Sequence, residues 1–127
     1  VYAGLGIYDT MNLIPSDVST TVVGMAASMG AIITTAGEKG KRFILPSSTV
    51  MIHNVSSGAQ GTLTDMSISL KEAERLKTML YGILSETTGQ PLEKVMVDCD
   101  RDYWLSAEKA VEYGLVDEIV TKMKSGK

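Results

Sequence analysis

Cysteine occurs once in this chain, at Cys99, so no internal disulfide can form, which suits a reducing compartment. Beside the acidic Asp98 and Asp100 that thiol is inert or at most modestly reactive. Positive charge is in deficit: 12 Lys and Arg face 15 Asp and Glu, for a net charge of −3, which argues against binding nucleic acid or an anionic membrane. No apolar run approaches the roughly twenty residues of a membrane span, because serine, threonine, glycine or charge interrupts each one. Neither a signal-peptide pattern, nor a repeat, nor a low-complexity tract is visible. What remains is the composition of a soluble α/β piece, with 127 residues for one domain and 44% hydrophobic residues for a core.

Against that plain background one stretch stands out, Gly24-Met25-Ala26-Ala27-Ser28-Met29-Gly30-Ala31, after the β-branched run Ser19-Thr20-Thr21-Val22-Val23. It places a hydroxyl among very small residues where a strand hands over to a helix. A serine there projects its Oγ from a tight turn, and the following amide, that of Met29, lies at the positive end of the next helix. One segment can thus supply a nucleophile and half of an oxyanion hole. The plainer alternative is that Gly24, Ala26, Ala27 and Gly30 only let a helix pack closely on a sheet, with Ser28 an ordinary first-turn residue.

The single histidine, His53, closes the β-patterned run Ser48-Thr49-Val50-Met51-Ile52 and precedes a turn-rich segment, Asn54-Val55-Ser56-Ser57-Gly58-Ala59-Gln60-Gly61. It therefore sits at a strand exit, where side chains of α/β sites converge, although a lone histidine is commonly a residue without chemistry. The acidic run Asp98-Cys99-Asp100-Arg101-Asp102 falls between two helical segments and reads by default as a solvated loop. A calcium loop is excluded, since the pattern needs glycine where Tyr103 stands and glutamate where Lys109 stands. Ser28, His53 and one of these aspartates are the three groups of activated-serine chemistry: nucleophile, general base and orienting carboxylate. Their order, Ser-His-Asp, differs from those of the α/β-hydrolase, chymotrypsin and subtilisin folds.

The coarse pattern alternates helices and short strands, which predicts a sheet with helices packed on it. Helices are expected over Gly4 to Leu13, from Ser28 to Ala36, over Pro91 to Val97 and, capped by Ser106 and stopped by Gly114, over Ala107 to Tyr113. Strands are expected over Ser19 to Gly24, Arg42 to Leu45, Thr49 to Ile52 and Leu115 to Val120. The longest element starts at the box Thr62-Leu63-Thr64-Asp65 and carries Leu63, Met66, Leu70, Ala73, Leu76, Leu80 and Ile83 at helical spacing up to Gly89. So long a helix has more apolar surface than a small domain covers, and part of its stripe is expected to face another subunit.

The blocks Gly24 to Ala31, Ala36-Gly37-Glu38-Lys39-Gly40-Lys41-Arg42-Phe43, Leu45 to Ser48, Val50 to His53, Arg101-Asp102-Tyr103-Trp104-Leu105-Ser106-Ala107 and Ala110 to Asp117 together closely resemble the proteolytic subunits of the Clp protease family, over about Ala3 to Ile119. The resemblance implies an α/β fold of repeated ββα units, shared with crotonase-type enzymes, with a protruding handle helix. Residues 1–127 would be one domain, the C-terminal two-thirds of a subunit, with its handle at about 54–88. It implies a serine endopeptidase with Ser28 as nucleophile, His53 as base, Asp102 as triad carboxylate and the Met29 amide as oxyanion donor, needing no cofactor or metal. A second oxyanion amide would come from a Ser-Pro-Gly-Gly segment upstream of Val1, so the chain reads as a fragment.

The same resemblance implies unfolded polypeptide substrates, a hexameric AAA+ unfoldase as partner, docked near Leu13 and Phe43, and self-association into two stacked seven-membered rings. Arg101 would form ion pairs at the ring junction. A cytoplasmic setting, or an organelle matrix or stroma, would follow, with no nucleic acid or membrane as partner. Substrate is expected as an added strand along Asn54, Val55, Ser56, Ser57 and Gly58, where backbone pairing reads shape rather than sequence. Val55 stands where the family commonly has proline, and Thr62 where a longer polar residue is common. Two other readings differ in class: an acyl-CoA enzyme of the crotonase type, which needs no such triad, and a structural ring subunit that does not cleave.

Overall fold

The computed structural model describes residues 1–55 and 60–123. The expected substrate positions Ser56, Ser57 and Gly58, and the residues from Lys124 onward, lie outside them. Among the described residues, five helices, α1 (Tyr2–Leu13), α2 (Met29–Thr35), α3 (Leu63–Thr88), α4 (Leu92–Asp98) and α5 (Ala107–Tyr113), alternate with six strands. These are β1 (Thr20–Val22), β2 (Met25–Ala27), β3 (Arg42–Ile44), β4 (Thr49–Ile52), β5 (Tyr103–Leu105) and β6 (Glu118–Ile119). The α/β expectation is met, and the run β1-β2-α2 followed by β3-β4-α3 is the repeated ββα pattern.

The sequence predicts one sheet, and the described residues form two. Each unit sends its first strand to the parallel sheet β1-β3-β6 and its second to the sheet β2-β4-β5. The chain crosses between them at Gly24, whose φ of +83° few side chains tolerate. There the Gly24 amide donates to the buried hydroxyl of Ser48, on the equivalent crossing of the second unit, at 2.9 Å. The expected strand Ser19 to Gly24 therefore stops at Val22, and β2 begins just beyond the glycine. Met25, Ala26 and Ala27 have little intrinsic strand preference; pairing with β4 makes them a strand.

The acidic run does not simply join two helices, because β5 follows it and pairs antiparallel with β4. The expected last strand is only Glu118–Ile119, although the amides of Asp117 and Val120 also donate to Arg42 and Ile44 on β3. Leu115 and Val116 instead fill the core between α5 and the sheets, with Ile44, Val50, Ile52, Val95 and Leu105. Gly114, at φ +93°, ends α5 as expected, and a Cβ there would collide with the Thr88 carbonyl at the end of α3.

Helix α3 begins as its sequence predicts: the Asp65 amide donates to Thr62 Oγ1, and the Asp65 carboxylate accepts from the Thr62 amide. Its 26 residues extend about 39 Å at 1.5 Å per residue. Burial divides it. Leu76, Leu80, Tyr81, Ile83 and Leu84 enter the core, whereas Leu63, Ile68 and Leu70 are exposed.

The end of α3 is tied to the end of α2 and to the sheet β1-β3-β6 by Arg42, a buried guanidinium at the start of β3. It donates twice to the Asp117 carboxylate, from Nε at 2.9 Å and Nη2 at 2.7 Å, and through Nη1 to the carbonyls of Thr87 and Thr35. Asp117 also accepts from the Gly40 and Arg42 amides. Its carboxyl is held below the usual carboxylate range, chiefly by Arg42 and also by these amides, against the opposing effect of burial.

Candidate active site

Strand pairing determines which residues meet. In the parallel pair β2–β4, Ala27 lies beside Met51, so the residues that leave these strands, Ser28 and His53, emerge at the same end. In the antiparallel pair β4–β5, Ile52 lies beside Tyr103, so His53, just after Ile52, faces Asp102, just before Tyr103. Three residues distant in sequence converge because two strands end and one begins at one edge.

Ser28 links β2 to α2 with φ 59° and ψ −122°, the one non-glycine positive φ among the described residues. Such a conformation costs about 1–3 kcal/mol and persists only where neighbours impose it. Here the Ser28 amide donates to the Met51 carbonyl at 3.1 Å, and the Ser28 carbonyl accepts from the amides of Ala31 and Ile32. The turn is clamped on both sides, and its Oγ is presented outward, 2.5 Å from His53 Nε2. Gly4 permits the close packing behind it: a Cβ at Gly4 would lie 2.6 Å from the end of the Met29 side chain.

On the other side of the ring, His53 Nδ1 lies 3.6 Å from Asp102 Oδ1, within ion-pair reach and longer than a hydrogen bond. The tautomer that fits both neighbours carries its proton on Nδ1, toward the carboxylate, and leaves Nε2 to accept from the serine hydroxyl. The other aspartates do not reach the ring. Asp98 is not a solvated loop carboxylate; it accepts from the Tyr113 hydroxyl at 2.8 Å and pairs with Lys94 at 3.0 Å. Asp100 is exposed.

Met29 opens α2, so its amide has no acceptor within the helix and lies next to the Ser28 Oγ. Asn54 and Val55 follow His53; Val55 packs against the core and Asn54 Oδ1 accepts from the Tyr81 hydroxyl at 3.2 Å. Arg101 is exposed and has no ion pair among the described residues. Leu13 is also exposed, while Phe43 is half-buried on β3. Cys99 is fully buried, and that burial pushes its thiol up to about 12, so it is no rival nucleophile.

Beside the Ser28–His53 pair opens a pocket of about 90 Å³. Its walls are largely apolar, from Met29 and Ile32 on α2, Ile52 on β4, and Leu80, Tyr81 and Leu84 on α3. The contribution of α3 was not anticipated from the sequence. Leu80 and Leu84 carry the period of a core stripe, and periodicity does not reveal that the stripe borders an opening.

A family model described as Clp protease matches residues 1–123. Two curated proteins of Bacteroides fragilis, from different strains and each named ATP-dependent Clp protease proteolytic subunit, are 52% identical to this chain over 122 residues. The aligned region covers 96% of this chain but only 59% and 56% of those relatives' lengths.

Proposed function

The chain belongs to the Clp protease family, and on that premise we propose that it carries the catalytic centre of a serine endopeptidase acting on unfolded polypeptides. The observation that carries this reading is the 2.5 Å approach of Ser28 Oγ to His53 Nε2 at a strained turn, with Asp102 on the opposite ring nitrogen. Ser28 attacks the peptide carbonyl while His53 takes its proton and then returns it to the leaving amine. Asp102 holds the Nδ1–H tautomer and stabilises the imidazolium; the 3.6 Å separation closes to hydrogen-bond length in the substrate complex. The Met29 amide donates to the tetrahedral oxyanion, with a second amide from a glycine upstream of Val1.

Substrate lies extended along the segment that begins at Asn54, and the apolar pocket receives an adjacent side chain. The whole assembly in this reading is two stacked seven-membered rings, fed by a hexameric AAA+ unfoldase at a rim that includes Leu13 and Phe43. The exposed apolar first half of α3 supports burial against another subunit, with Arg101 pairing nearby. No helix among the described residues is long and apolar enough to cross a membrane. In this reading the setting is a cytoplasm or an organelle matrix, in keeping with the single, unpaired cysteine.

The test is hydrolysis of a denatured, fluorophore-labelled protein by the full-length protein and its Ser28→Ala variant. Peptide release should fall to background in the variant. Undiminished release by Ser28→Ala, in a preparation free of other peptidases, would overturn the reading.

A further inference from the structure

We propose that Tyr113 is a positioning residue for Asp102: its side chain spans the loop that carries the carboxylate and holds both ends of that loop at once. This rests on the serine-peptidase reading of Ser28, His53 and Asp102. Asp102 does not hold itself in place. Its side chain is 62% exposed, and among the described residues its carboxylate makes no hydrogen bond, so its place beside His53 is set by the backbone that bears it.

That backbone is the loop 99–102, which runs from Asp98, the last residue of α4, to Tyr103, the first of β5. On the α4 side the Cys99 amide donates to the Val95 carbonyl at 2.9 Å, and on the β5 side Tyr103 pairs with Ile52. Tyr113, at the end of α5, is buried and meets both ends. Its hydroxyl donates to Asp98 Oδ2 at 2.8 Å, and its ring centroid lies 6.1 Å from that of Tyr103, within the range at which aromatic pairs attract. Tyr113 is itself anchored, since its carbonyl accepts from Gln90 Nε2 at 3.0 Å. Burial, and then the Asp98 carboxylate, raise the pKa of the phenol, so the hydroxyl stays a donor throughout the neutral range.

Lys94 reaches the same Asp98 oxygen at 3.0 Å, but both residues sit on α4 and the lysine side chain is 48% exposed, so this pair ties nothing across the loop. Tyr113 alone among these contacts joins α4 to β5. With Asp102 Oδ1 already 3.6 Å from His53 Nδ1, a further displacement of about 1 Å takes the carboxylate out of reach of the ring.

The experiment measures kcat and KM on a fluorogenic peptide for full-length wild type and Tyr113→Phe, and repeats the comparison in an Asp102→Ala background. Tyr113→Phe keeps the ring and loses the hydrogen bond; it should lower kcat about tenfold with KM within about twofold. Added to Asp102→Ala it should cost nothing further, because a residue that acts through Asp102 then has nothing to act on. A merely structural loss would lower the rate by the same factor in both backgrounds. That result overturns the proposal, as does an unchanged kcat in Tyr113→Phe.

Should Tyr113→Phe fail to fold, Asp98→Leu combined with Tyr113→Phe removes both polar partners together and leaves no buried group unpaired, and the same two comparisons decide. Fluorophosphonate labelling separates the two levels. Wild type that labels at Ser28 no faster than Tyr113→Phe removes only the role of Tyr113, whereas folded wild type that takes up no label removes the serine-peptidase reading and this inference with it.

Discussion

Replacing His53 with alanine should lower kcat for peptide hydrolysis by about 10⁵- to 10⁶-fold with little change in KM, measured on a fluorogenic peptide with the full-length protein. In the proposed mechanism the imidazole removes the Ser28 proton and delivers it to the leaving amine, and Nε2 is the ring atom that faces the serine hydroxyl. His53 is the single histidine, and among the described residues no other base lies within hydrogen-bond reach of Ser28 Oγ. Residual rate would come from the pocket and the Met29 amide, which in that mechanism bind substrate and oxyanion without moving protons. Asp102→Asn should cost less, about 10⁴-fold, because the base survives while its tautomer is no longer imposed. A His53→Ala loss below about tenfold would mean that Ser28 acts without this ring or does not act.

The second large effect concerns stability. Arg42→Ala should destabilise the full-length protein by about 3–5 kcal/mol in denaturant unfolding, the range for breaking a buried ion pair by removing one partner. The loss leaves the Asp117 carboxylate without its bidentate partner and the Thr87 carbonyl without its donor, and it opens space beside α3. Arg42→Lys should recover little, since one ammonium cannot span Asp117 and two carbonyls in the same plane. The pH dependence has a definite sign. Because the folded Asp117 carboxyl is depressed, its contribution is present above the ordinary carboxylate pKa and is lost as the pH falls through the lowered folded value. The gap between wild type and Arg42→Ala should therefore narrow in acid. A constant gap down to the acid-unfolding range would contradict the assignment.

The site was more legible than the scaffold that aligns it. Small residues around a serine at a strand–helix junction mark a tight turn because few other residues permit one, and Ser28 does adopt a positive φ there. His53 at a strand exit was equally readable. The capping box at Thr62 and Asp65 was clear because both its hydrogen bonds are local.

What escaped depends on contacts between distant residues. Gly24 was read as the end of a strand, whereas it transfers the chain to a second sheet, and that transfer is visible only once β2 is paired with β4. Tyr103-Trp104-Leu105 carries the aromatic composition of a strand, but the acidic run before it drew attention to charge rather than pairing. Arg42 and Asp117 lie 75 residues apart, and each alone reads as a surface charge. Tyr81 falls outside the apolar stripe expected for α3, and its place beside Ser28 is visible only from its hydrogen bond to Asn54, just after β4, and its part in the pocket wall.

The central claim, that His53 activates Ser28, is tested most directly by intact-mass measurement of fluorophosphonate labelling, with the modified peptide identified in full-length wild type and His53→Ala. The account predicts one adduct on the peptide containing Ser28, formed at least about a hundredfold more slowly without the imidazole. Folded wild-type protein that takes up no label at Ser28, or that labels equally fast in both forms, would contradict it.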